Sequence, residues 1–127
     1  MIDVRTLNVH LVSDSSGETI SSIARACLSQ FEQITPRQHT WFLVRTSGQV
    51  QRVIEGIRND PGPVLYTVVD PVIRASLEQD FLELGIPCIP VLDPVLNTLS
   101  AFLGVPVRGK PGRQHVVDAH YLRRMDA

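Results

Sequence analysis

Seven consecutive residues, Ser13, Asp14, Ser15, Ser16, Gly17, Glu18 and Thr19, stand between an apolar strand-like run, Leu7 to Val12, and a long amphipathic segment. Small hydroxyl residues and a glycine at a strand-to-helix turn leave backbone N–H groups at the positive end of a helix dipole, which suits an anion such as phosphate. Ser13, Ser15, Ser16, Gly17 and Thr19 are therefore candidates for a phosphate- or effector-binding pocket. Asp14 lies in the same turn, and Arg45 is a counter-charge expected at a neighbouring strand end. A plainer reading competes. Ser15 and Glu18 have capping-box spacing, the hydroxyl accepting from the N3 amide and the carboxylate reaching back to the N-cap amide, with Gly17 easing the turn. A third reading makes Ser13 or Ser15 an acyl-transfer nucleophile, but no GxSxG-like elbow is present to support it.

Two other stretches invite chemistry and do not sustain it. Gly104-Val105-Pro106-Val107-Arg108-Gly109-Lys110 matches GxxxxGK, yet Pro111 follows where a P-loop needs a Ser or Thr hydroxyl for magnesium. The segment also follows a helix instead of a strand, so it is rejected as a nucleotide site. His115, Asp118 and His120 hint at a metal site or an acid–base pair, but they lack a nucleophile or a further strong ligand. No metal site and no catalytic residue is assigned in this chain.

The elements that must position the turn are legible from periodicity. Ile20, Ile23, Ala24, Cys27, Leu28 and Phe31 recur at helical spacing, predicting a first helix from about Ser16 to Glu32 with these residues buried. Thr40 to Val44 reads as a second strand, and Val50, Val53, Ile54 and Ile57 as the face of a second helix. Val64 to Val69 reads as a strand covered on both faces. Asp70-Pro71 opens a third helix through Ile73, Leu77, Phe81 and Leu84, which Gly85 closes. Ile86 to Leu92, with Pro87 and Pro90, reads as an edge strand, because each proline removes an amide donor. Asp93-Pro94 repeats the cap and opens a fourth helix through Leu96, Leu99 and Leu103 to Gly104.

Four strand–cap–helix units imply an α/β fold: an open, mostly parallel four-stranded sheet with helices on both faces, a Rossmann-like three-layer arrangement. All four polar caps (Asp14 with its serines, Thr46 and Ser47, Asp70, Asp93) then gather at the carboxyl edge, where open parallel sheets bind ligands. The expected organisation is an α/β domain over 1–107, then a connector over 108–127 that starts a truncated element.

Composition narrows the function classes. A chain of 127 residues with 43% hydrophobic and 20% charged residues is one domain's worth of an ordinary globular protein, too apolar for disorder. A net charge of -1 argues against a general nucleic-acid or membrane-surface binder, which needs a basic face. No signal-like start and no bilayer-length apolar run are present, so a cytoplasmic protein is expected. Cys27 and Cys88 lie far apart, outside any metal-ligand spacing, and are expected as buried reduced thiols.

Taken in order, several pieces form a series: Val12-Ser13-Asp14-Ser15-Ser16-Gly17-Glu18-Thr19, Phe42-Leu43-Val44-Arg45-Thr46, Val69-Asp70-Pro71, Cys88 with Leu92-Asp93-Pro94, and Pro111-Gly112 with His115 and Tyr121. That series resembles the pyruvate, phosphate dikinase and phosphoenolpyruvate synthase regulatory proteins, from about Leu7 to the end of the chain. The resemblance implies a bifunctional serine/threonine kinase and phosphorylase. Such an enzyme uses ADP to phosphorylate a threonine of the dikinase or synthase, and inorganic phosphate to remove that phosphate with release of pyrophosphate. ADP and inorganic phosphate are then substrates of the full-length protein, the dikinase or the synthase is its protein partner, and a homodimer is one option for its assembly. Ser16 departs from the family, which often has Thr there. The family's own P-loop lies in a second domain C-terminal to everything matched, so its catalytic residues are not carried over. Two functional classes follow: the N-terminal part of that kinase and phosphorylase, or a free-standing α/β phosphate- or nucleotide-binding module without catalytic activity.

Overall fold

The computed structural model describes residues 5–108. Strand β1 (Arg5–Ser13) leads through the serine-rich turn into α1 (Glu18–Leu28), and the alternation continues with β2 (Ile34–Trp41), α2 (Ser47–Asn59), β3 (Val64–Thr67), α3 (Pro71–Leu84), β4 (Cys88–Pro90) and α4 (Asp93–Leu103). All strand pairs are parallel, in the order β2-β1-β3-β4. This is the open α/β sheet that the repeated caps imply.

Side chains alternate across the central strand and divide the core in two. Val9 and Leu11 of β1 pack with Ile20 and Ala24 of α1 on one face. Val12 packs on the other with Val50, Val53, Ile54 and Ile57 of α2 and Ile73, Leu77 and Phe81 of α3. Because β1 and β3 are adjacent while the chain passes through β2 between them, the strand order reverses there, and their carboxyl ends flank the switch point.

Several boundaries depart from the sequence reading, each for a physical reason. The second strand is Ile34–Trp41, not Thr40 to Val44. It lies at the sheet edge with Thr35, Arg37, Gln38 and Thr40 exposed, so it carries no apolar signal. The apolar residues after it form the exit loop, in which Val44 is buried and Leu43 adopts a positive φ of 57°. Helix α1 begins at Glu18 and ends at Leu28, which leaves Phe31 outside it and exposed, while Cys27 is exposed on its surface and Cys88 is half-buried. The fourth strand shrinks to Cys88–Pro90, at the edge as its prolines predict. Among the described residues, no helix is long and apolar enough to cross a membrane.

Candidate functional site at the sheet switch point

The turn after β1 spends much of its polar chemistry on itself. Ser13 is fully buried, its Oγ accepts from the Ser15 amide at 3.0 Å, and it lies 3.2 Å from the Ser15 hydroxyl. A buried hydroxyl committed in this way holds the turn, which weakens the nucleophile reading. The carbonyls of Ser13 and Ser15 accept the amides of Val44 and Leu43, tying the turn to the loop after β2. Arg45 completes that tie by donating from Nε to the Asp14 carbonyl at 2.9 Å.

Asp14 has no exposed surface. Its Oδ2 crosses the switch point to accept the amides of Val69 at 2.9 Å and Asp70 at 2.8 Å, the turn that leads from β3 into α3. Those amides are the donors that an open sheet can offer a ligand at this place, and an internal carboxylate takes them. Burial raises the Asp14 pKa, and the amides of Asp70 and Val69 oppose that rise. Oδ1 of Asp14 and the buried Oγ1 of Thr67 have no hydrogen-bond partner among the described residues.

Gly17, not Ser15, is the N-cap of α1, with φ 84° and no side chain to offer a cap bond. A Cβ at Gly17 would fall 2.5 Å from the Phe42 ring as well as strain the left-handed backbone. The chain therefore turns sharply outward there, and what faces solvent is a shallow hollow lined by Ser16, Gly17, Glu18, Ser21, Ser22 and Arg25. Helix amides at its rim and the Arg25 guanidinium suit an anion, while the Glu18 carboxylate opposes one. Thr19 sits half-buried in the first turn of α1 and is not part of this lining.

The candidate set thus separates into two groups. Ser13, Asp14 and Ser15 form a buried clamp that the exposed Arg45 ties from outside, whereas Ser16 is exposed at the hollow and Gly17 is buried beneath it. Ser21, Ser22 and Arg25 were missed from the sequence, although with Glu18 they follow the i, i+3, i+4, i+7 spacing of one helix face. The remaining caps behave unequally. Thr46 forms a full capping box with Gln49, and Asp70 Oδ1 accepts the amides of Val72 and Ile73 as expected. Asp93 does not cap: Leu92 is the N-cap of α4, and Asp93 forms a two-pronged ion pair with Arg74 of α3. Arg74 also meets Glu78 at 3.2 Å, and Glu78 accepts the Tyr66 hydroxyl at 2.5 Å. The ion pair to Asp93 raises the Arg74 pKa. Among the described residues no group of three or more His, Cys, Asp or Glu side chains is placed to hold a metal. His115, Asp118 and His120 lie outside those residues, as do Gly109 and Lys110 of the GxxxxGK stretch.

An open parallel α/β sheet with its strand order reversing between β1 and β3 places the chain in the broad class of doubly wound α/β proteins. Within that class the sequence is specific. Residues 9–127 match the family model described as kinase/pyrophosphorylase, and the chain belongs to that family. It is 56% identical over 124 residues to a protein of Paramagnetospirillum magneticum named "Putative pyruvate, phosphate dikinase regulatory protein", a match that covers 98% of this chain and 40% of the relative. Proteins of the same name from Rhodospirillum rubrum and Acidiphilium cryptum are 48% and 45% identical over 126 residues, covering 99% of this chain and 46% and 43% of their own lengths. The chain spans less than half the length of these relatives and matches their N-terminal part.

Proposed function

We propose that this chain is the N-terminal part of a bifunctional enzyme that regulates a phosphoenolpyruvate-forming partner. The enzyme uses ADP to phosphorylate a threonine of pyruvate, phosphate dikinase or phosphoenolpyruvate synthase, and inorganic phosphate to reverse it. The observation that carries this reading is family membership over nearly the whole chain. The relatives' shared name supports the dikinase as the target. In this reading the chain alone is inactive and resides in the cytoplasm. The phosphoryl-transfer residues then belong to the part of the relatives that follows the matched region.

The role we assign to this part is binding. The hollow at the start of α1, with Ser16, the Gly17 backbone, Ser22 and Arg25, receives a phosphate group of a substrate or effector, and the clamp of Ser13, Asp14, Ser15 and Arg45 holds its floor. Isothermal titration with phosphate, pyrophosphate, AMP and ADP tests this. Heat with at least one of the four, weakened by Arg25→Ala, is expected, and no heat with any of them at millimolar concentration removes the pocket. The alternative, a free-standing phosphate-binding module, predicts the same heat. It differs in predicting no effect of the chain on the dikinase in any longer form.

A further inference from the structure

Among the described residues, none of those in helix α4 is buried. Val95, Leu99 and Phe102 stand at i, i+4 and i+7 on one face and are 58%, 51% and 89% exposed, with Leu103 beside them. An isolated helix of this length is not stable in water, and an apolar stripe of this kind is the seam of a helix packed against another surface. The ion pair between Arg74 of α3 and Asp93 fastens its first turn. The sheet shows a matching gap. Helices α2 and α3 cover one face, whereas the core on the other is built on α1 alone, with Leu65 and Val91 only partly buried there. Ile89 of β4 is exposed. Parallel sheets are covered on both faces, so among the described residues this side lacks a layer.

We infer that the apolar face of α4, with the adjoining edge of β4, is the docking surface for the polypeptide that follows this region in the longer relatives. Two observations select that occupant. The matched region is the N-terminal 40 to 46% of those relatives, so a larger portion follows it in the same chain. Helix α4 is also the last element of the described fold, at the end of the matched region that adjoins that portion in sequence. A tethered neighbour reaches the face at an effective concentration on the order of millimolar, which favours it over a second copy in dilute solution. The inference is independent of the phosphoryl-transfer reading, because it concerns packing and no ligand.

The test compares two proteins by hydrogen exchange: the 127-residue chain, and the same residues joined to the portion that follows the matched region in the Paramagnetospirillum magneticum relative. In the joined protein the amides of Leu96 to Leu103 are expected to exchange about tenfold more slowly or better, with α2 unchanged. Leu99→Asp with Phe102→Asp should restore fast exchange in α4 while leaving α2 protected, since both positions are exposed and outside the core. A second measurement needs no variant of the joined protein: an apolar dye should bind the 127-residue chain, lose that binding with Phe102→Asp, and be excluded by the joined protein. Equal α4 exchange in the two proteins, or protection that survives the double substitution, overturns the inference. So does sedimentation of the 127-residue chain as a dimer that Phe102→Asp dissociates, because a second copy then covers the face.

Discussion

Asp14 combines zero exposure with two strong acceptor contacts, and those two facts set opposite expectations for its substitution. Asp14→Ala leaves the Val69 and Asp70 amides without their acceptor and should lower stability by roughly 2–4 kcal/mol, read from denaturant midpoints. Asp14→Asn keeps an acceptor and should cost less, while removing a pH dependence. Burial raises the carboxyl pKa in the folded state above the ordinary 3.8, so the folded protein takes up this proton before the unfolded chain does. Its contribution to stability therefore grows as the pH falls through the raised value toward 3.8, and a flat limb in Asp14→Asn there checks the assignment. Gly17 is constrained twice, by its φ of 84° and by the Phe42 ring, and Gly17→Ala should cost about 1–3 kcal/mol in the same measurement. The sequence marked Asp14 as part of a ligand site. Only the register of β1 against β3 shows that its own carboxyl group takes the amides at the switch point.

At the scale of elements, β1, β2 and the end of α2 are joined by a buried histidine that no motif announces. Trp41 Nε1 donates to His10 Nδ1 at 3.1 Å, and His10 Nε2 lies 2.7 Å from the Asp60 carbonyl, so the ring is neutral with its proton on Nε2. His39 stacks on it with centroids 4.6 Å apart. Burial depresses the His10 pKa below 6.5, and the nearby His39 adds to this, against the pull of the Asp60 carbonyl. The unfolded chain then protonates first as the pH falls, so this contribution is whole above 6.5 and is lost as the pH falls below it. The slope opposes that of Asp14. Denaturation midpoints between about pH 4 and pH 7 should show His10→Gln flattening the upper limb and Asp14→Asn the lower one. A profile unchanged by His10→Gln would remove the claim. Helices α2 and α3 were readable because their buried residues keep a helical period. Strand β2 was not, because an exposed edge strand imposes no apolar pattern, and the apolar run from Thr40 to Val44 begins in the last two residues of β2 and continues into the loop that packs Val44 inward.

For the whole molecule, the proposed division of labour has a direct readout. Incubating the 127-residue chain with its dikinase or synthase and ADP should give no phosphothreonine, whereas the joined protein should give it. Phosphothreonine from the short chain would place the chemistry within these residues and overturn the assignment. Among the described residues, the thinly covered α1 side of the sheet and the exposed stripe of α4 agree with the docking surface inferred above. What the sequence determined by itself is local: where chain direction changes, which helix faces are apolar, that Asp70 caps, that β4 with its prolines is an edge, and the ordered motifs that place the family. These depend on φ preferences, hydrogen-bond donors and periodicity within a few residues. Tertiary structure alone decided which polar groups are used up. Asp93 has the sequence setting of a cap yet pairs with Arg74, and the serines of the opening turn divide between an inward clamp and an outward rim. The physical reason is common to both: a side chain's hydrogen bond goes to whichever donor the packing of distant strands brings within 3 Å or so, and that distance is set by the sheet and not by neighbours in the chain.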